Sequence, residues 1–340
     1  MSQYKILPLA PVSWQQLQAQ AIRSPEQLLR RLQLPASLLA EIENSSLAFS
    51  LRVPEPYLQR IEPGNPDDPL LRQILPLAEE LHTTKGFSCD PVGDGAARNL
   101  PGLLHKYHGR VLIITTGSCG IHCRYCFRRH YPYNDDRLSD DHWQGILGYL
   151  REDPNITEVI LSGGDPLTLS DQRLQNQLQD LAEIPHLQRL RIHSRQPIVL
   201  PQRVNDELLQ MLAKSRLQTV LVVHVNHANE LDGEVKACMQ QLKQAGITLL
   251  NQSVLLRGVN DDANSLCELS ERLFECGILP YYLHQLDRVV GAAHFEVDEL
   301  QTRSLMEELR RRLPGYLVPK LVSEQAGAAY KLPLDVSIST

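Results

Sequence analysis

No stretch of this 340-residue sequence approaches the roughly 20 consecutive apolar residues that a membrane-spanning helix requires. A bilayer span is therefore not expected. The opening MSQYKILPLAPVSW lacks the long apolar centre of a secretory leader, and internal repeats and low-complexity tracts are missing, so the expected location is cytoplasmic. An excess of one charge is missing too. The 34 Lys+Arg against 40 Asp+Glu give a net charge of −6, which argues against a protein built to coat nucleic acid or an anionic membrane. Cysteines are few for the length and odd in number, at 7, so a disulfide framework is not the expectation. What is present is 42% apolar residues, enough to bury a large core in one domain or two.

Residues 1–105 are rich in Leu, Gln, Pro and charge, with helix-like stretches at Trp14–Ala21, Pro25–Leu32 and Pro69–Leu81. Prolines 54, 56, 63, 66 and 69 interrupt them, which predicts a mainly helical region laid over a partner surface. From residue 106 to 322 the pattern changes. Short β-branched runs alternate with helical periodicity, predicting strands at Val111–Thr115, Glu158–Ser162, Leu190–Ser194, Thr219–Asn226, Thr248–Val254, Pro280–His284 and Val318–Val322. Trp143, Ile146, Leu147 and Leu150 recur with helical spacing, as do Val235, Cys238, Met239 and Leu242, and Gly246 and Gly277 stand where helices should stop. The fold class is α/β. Six βα units in series suggest a barrel or open barrel, with chemistry at the C-terminal ends of its strands.

Directly after the first of these strands comes CGIHCRYCF, in which Cys119, Cys123 and Cys126 are spaced C-x3-C-x2-C. Three thiolates on one loop suit zinc or an iron–sulfur cluster. Three protein ligands leave one coordination position open, as catalytic metal sites do. The alternatives are a chance cluster of cytosolic thiols and a zinc knuckle completed by His122 or His130. Cys238 and Cys267 fall on apolar helix faces and are expected in the core; Cys89 and Cys276 have no assigned role. The second strand closes on LSGGDPL, whose glycines would let backbone approach a ligand where a side chain would collide.

The cysteine motif resembles that of the radical S-adenosylmethionine (SAM) superfamily. The resemblance implies a partial (β/α)6 barrel, a [4Fe-4S] cluster held by Cys119, Cys123 and Cys126, and SAM chelating the open iron, with Ser162, Gly163, Gly164 and Asp165 flanking it. Further polar strand ends agree: His224 and Asn226 lie two apart on one strand face, Gln252 sits in NQSVLLRGVND, and Arg195 follows the third strand. With HKYHGRVL and YYLHQLDRVVGAAHF, these segments are similar to the lysine 2,3-aminomutases, from about Leu51 to Leu334. That likeness implies pyridoxal 5′-phosphate (PLP) as a further cofactor. Lys331, in a C-terminal segment spanning residues 323–340, falls on the family's PLP lysine; Lys106, Tyr107, Arg110 and Arg195 fall among candidates to hold PLP and its phosphate. Arg128 matches the grip on the substrate carboxylate. Asp287 and Glu324 match the pair of acids that holds the distal ammonium, which favours L-lysine over glutamate.

Glu324 in place of Asp, the AGAAYK loop, and an end nine residues past Lys331 resemble the branch of the family that serves elongation factor P. By that likeness the product is (R)-β-lysine, handed to a lysyl-tRNA-synthetase-like ligase, with flavodoxin or ferredoxin as electron donor. The alternatives are an aminomutase of free lysine or glutamate, and a non-catalytic iron–sulfur carrier.

Overall fold

The computed structural model describes residues 12–334. Most of the opening segment considered as a leader, and the residues after Leu334, lie outside them. Ten strands form one sheet in sequence order: β1 (Arg98–Leu100), β2 (Leu103–Tyr107), β3 (Arg110–Thr116), β4 (Glu158–Gly163), β5 (Arg189–Ser194), β6 (Gln218–Val223), β7 (Thr248–Val254), β8 (Leu279–His284), β9 (Lys320–Ser323) and β10 (Leu332–Pro333). β3 through β9 are parallel, while β1, β2 and β10 add antiparallel edges. The first and last strands do not pair, so the barrel is open.

The crossover helices form where the sequence predicts because periodicity and caps agree. Trp143, Ile146, Leu147 and Leu150 are buried on Asp140–Glu152, and Val235, Cys238, Met239 and Leu242 on Gly233–Gln244. Ser139, Ser170, Asn205, Asp232, Asp262 and Asp298 each accept a backbone N–H from the helix they precede. Each such cap is worth about 1 kcal/mol. Gly246 and Gly277 stop their helices at φ +84° and +80°, a backbone state that other residues reach only with strain. Leucines, valines and isoleucines from the helices and the outward faces of β3–β7 close one continuous core.

Some expectations need correction. β6 ends at Val223, not Asn226, so His224 and Asn226 lie in the loop beyond it rather than on a strand face. The stretch Pro69–Leu81 is a short helix, Pro69–Arg72, followed by a separate turn at Ala78–Leu81, since Pro76 lies between them. A helix at Leu39–Ala48 and the edge strands β1, β2 and β10 carry too little periodicity to be seen in the sequence. The surface under the N-terminal region is the barrel mouth itself: Trp14, Leu28, Tyr57 and Leu71 pack with Ile121 of the cysteine loop and Val199 and Leu200 after β5.

Gly246 has open space around its Cα, so Gly246→Ala isolates backbone strain from steric clash. Urea unfolding is expected to show a loss of about 1–2 kcal/mol.

Candidate active site

A cavity of about 1200 Å³ runs through the barrel lumen, from the cysteine loop past the ends of β4–β8 to the start of β3. A pocket for one drug-sized molecule is about 300–1,000 Å³, so this space suits more than one ligand. Cys119, Cys123, Cys126, Arg128, Ser162, Gly163, Gly164, Asp165, Arg195, His224, Asn226, Gln252, Asp287, Glu324 and Lys331 all line it, with Lys106, Tyr107 and Arg110. The chain thus brings every site residue expected from the sequence to one cavity.

Its centre is a row of alternating charges. β10 pairs antiparallel with β9, Leu332 against Ser323, and this register sets Lys331 opposite Glu324. Lys331 Nζ lies 2.7 Å from Glu324 Oε2, and Lys106 Nζ lies 2.9 Å from Oε1. Lys106 also pairs with Asp94 at 2.6 Å, and Asp94 accepts from Arg128 Nε at 2.7 Å. Burial by itself would raise the Glu324 carboxyl, but Lys331 and then Lys106 outweigh it and hold the group at about 2. Asp94 is likewise pulled down by Arg128 and Lys106 against its burial. Asp94 was not singled out in the sequence. Nothing local marks it, because its partners lie 12 and 34 positions away.

Asp287 stands apart from that row. It makes no ion pair among the described residues. Burial first, and the Glu324 carboxylate second, push it up to about 7. An ammonium brought from outside would relieve both. On Arg128, Nη1 donates to Ser162 Oγ at 3.2 Å and Nε to Asp94, leaving Nη2 without an acceptor among the described residues. That nitrogen is open to a carboxylate.

Three of the expected roles change. Lys106 is fully engaged by Asp94, Glu324 and the Val92 carbonyl, which leaves Arg110, stacked 4.9 Å over the Tyr107 ring, as the cation open to a phosphate at that end. Burial, then Glu324, raises the Tyr107 phenol, so it stays a neutral donor. Arg195 belongs with the cysteines: Nη1 lies 2.8 Å from Cys123 Sγ and Nη2 2.7 Å from Glu230 Oε2. Its guanidinium is therefore not a phosphate clamp. Asn226 donates to Gln73 Oε1 and accepts from Val254 N, so its amide fastens loops instead of reaching a ligand.

LSGGDPL is also explained differently. A Cβ at Gly164 would sit 2.3 Å from the Ser118 carbonyl, and one at Gly163, at φ +116°, 2.8 Å from the Thr116 carbonyl. These glycines let the end of β4 press against the cysteine loop. The Asp165 carboxylate accepts from Ser194 Oγ and the backbone N–H groups of Leu167, Arg195 and Gln196, which locks the end of β4 to that of β5.

The residues fit the groups the sequence implied. Burial and mutual repulsion raise Cys119, and push Cys126 up to about 11, so as thiolates they call for a positive partner such as iron. Among the described residues no three His, Cys, Asp or Glu side chains are grouped to hold a metal ion. Zinc bonds sulfur at about 2.3 Å, whereas a four-iron cluster takes one sulfur per iron and needs wider spacing. His122 and His130 each turn a ring nitrogen to a backbone carbonyl, of Ser50 and Val290. Along the cavity wall, His193, His224 and His284 present buried Nε2 atoms that have no partner among the described residues. Burial first, then nearby cations or imidazoles, lowers all three, His224 to about 4, so they are neutral hydrogen-bonding groups for a bound molecule. Gln252 adds an amide with no partner among the described residues.

Residues 113–269 match the family described as the radical SAM superfamily. This defines the class: an enzyme whose family implies a [4Fe-4S] cluster and SAM. The chain is 48% identical over 327 residues to L-lysine 2,3-aminomutase of Escherichia coli K12, covering 96% of this chain and 95% of that one. It is 47% identical to the Haemophilus influenzae protein of that name, covering 96% and 98%. To the Clostridium subterminale protein of that name it is 39% identical, covering 82% and 67%. The chain belongs to the L-lysine 2,3-aminomutase family, and is an isomerase.

Asp94→Asn removes the anion between Arg128 and Lys106. The expected cost near pH 7 is about 3–5 kcal/mol in urea unfolding. Because Asp94 is depressed in the fold, its stabilisation exists above the unfolded carboxyl range and fades as pH falls, so the gap between the two proteins should shrink in acid. A constant gap across that range would mean that charge is not what Asp94 contributes.

Proposed function

We propose that the chain converts L-lysine to (R)-β-lysine with SAM, a [4Fe-4S] cluster and PLP, to supply the modification of elongation factor P. One observation carries the reading: a single charge row joins Lys331 to Arg128 inside the cavity that the three cysteines also line. When bound, the cluster with SAM supplies a hydrogen-abstracting carbon radical, and PLP supplies a conjugated ring that spreads charge and unpaired spin.

The chain's own residues bind and orient. Cys119, Cys123 and Cys126 hold the cluster, and Lys331 is the attachment point for PLP, with Arg110 and Tyr107 at its phosphate end. Ser162, Gly163 and Gly164 bound the SAM end beside the cysteine loop, and His224 and Gln252 offer it neutral polar atoms. Arg128 Nη2 takes the lysine carboxylate. Asp287 takes its distal ammonium, and Glu324 joins when that ammonium displaces Lys331 from Oε2. A glutamate side chain would instead face Asp287 and Glu324, two acids, so that substrate is disfavoured. Apolar walls from Val254, Leu286 and Phe127 keep water from the reacting carbons.

The elongation factor P assignment, over an aminomutase of free lysine, is supported by Glu324 and the AGAAYK loop. Flavodoxin or ferredoxin is the proposed donor, and the lysyl-tRNA-synthetase-like ligase the proposed consumer, in the cytoplasm. No helix among the described residues is long and apolar enough to cross a membrane.

Chiral analysis of the product formed from L-lysine by the reduced, reconstituted protein tests the reading. (R)-β-lysine is expected, with borohydride fixing PLP to Lys331; turnover of glutamate but not lysine would overturn it. The pH dependence is specific. Asp287 binds an ammonium only when ionised, so lysine affinity should fall up to tenfold per pH unit below about 7, and Asp287→Asn should flatten that slope.

A further inference from the structure

We infer that Arg195 sets the reduction potential of the iron–sulfur cluster through its hydrogen bond to the Cys123 sulfur, and that Glu230 and Gln73 fix it there. The inference rests on the reading that Cys119, Cys123 and Cys126 hold the cluster. It assigns Arg195 and Glu230 as positioning residues that act through a ligand.

The guanidinium divides its donors. Nη1 lies 2.8 Å from Cys123 Sγ, while Nη2 reaches Glu230 Oε2 at 2.7 Å and Gln73 Oε1 at 2.6 Å. Glu230 and Gln73 are fully buried, and Arg195 is 5% exposed. Tyr57 and Tyr125 rings stand 5.5 and 5.7 Å from the guanidinium carbon. The other Glu230 oxygen accepts the backbone N–H groups of Asn226 and His227 at 2.9 and 3.1 Å. The Arg195 backbone is fixed as well, since its N–H donates to Asp165 Oδ2 at 2.8 Å.

A purely structural ion pair would be complete with Glu230 alone. Here one arm of the fork is aimed at a cluster sulfur, in a setting with little water to screen it. The cluster accepts one electron, from dithionite in the assay or from a low-potential redox protein, and so gains one negative charge. A cation and an N–H donor at the sulfur favour that reduced form and raise the potential. Glu230 opposes this by its charge, and burial strengthens both effects. The two residues therefore act with opposite signs on one measurable quantity. Because Gln73 and Tyr57 come from the N-terminal region, that region takes part in tuning the cluster.

The test is an EPR-monitored redox titration of the full-length reconstituted protein beside Glu230→Gln and the double variant Arg195→Gln/Glu230→Gln. The double variant leaves no unpaired buried charge, and the potential is read on the cluster-bearing fraction, so partial loading does not obscure it. Glu230→Gln is expected to lie above wild type and the double variant below it. One common potential for all three proteins, or Glu230→Gln below wild type, would overturn the role of Arg195 while leaving the cluster assignment intact. Failure of the wild-type protein to take up iron and sulfide would overturn the cysteine assignment, and this inference with it.

Discussion

Glu324 receives an ammonium on each oxygen, Lys331 on one and Lys106 on the other, and Lys106 passes the pairing on to Asp94 and Arg128. None of these charges could be buried alone, because removing an unpaired ion from water costs several kcal/mol. Taken together they are stable in the lumen, and their order fixes positions: the Lys331 ammonium at one end and an open guanidinium nitrogen at the other. Asp287 lies beside the row but outside its pairing, and burial, then the Glu324 carboxylate, push its carboxyl up. Asp287 thus lacks a cationic partner among the described residues, and the proposed lysine substrate would bring one at its distal end.

The sheet supports this arrangement by simple means. A parallel barrel gathers the C-terminal ends of its strands, and here those ends are tied to one another by Asp165, which bridges β4 and β5, and by Asn226, which ties the loop after β6 to the end of β7. Two glycines allow β4 to press on the cysteine loop. The N-terminal region then closes over the mouth. Through Gln73 and Tyr57 it reaches Arg195, so a segment that carries no expected site residue helps to build the site.

Legibility from the sequence differed by the kind of residue. Cys119, Cys123 and Cys126 were readable because their chemistry and spacing are local, and the crossover helices because apolar periodicity and cap residues agreed. Lys331, Arg128, Asp287 and Glu324 were placed by family likeness, and they do line one cavity. Roles that depend on what a side chain meets were less legible. Asp165 and Asn226 looked like ligand-facing groups but engage the chain itself, and the GGD glycines, while lining the cavity, also seat the cysteine loop; Arg195 looked like a phosphate clamp but meets a cysteine and a glutamate. Asp94 passed unnoticed because an acid in a loop carries no local signal.

What the sequence determined by itself was therefore the class of chemistry, the α/β order and the core: soft thiols in a fixed spacing, strand and helix periods, capping residues. These follow from interactions within about a dozen residues along the chain. The tertiary structure decided which charge pairs with which. Such pairing is set by burial and by contacts across hundreds of positions, as between Lys106 and Glu324, 218 residues apart, and only the closed sheet with its C-terminal edge strand brings those groups within reach.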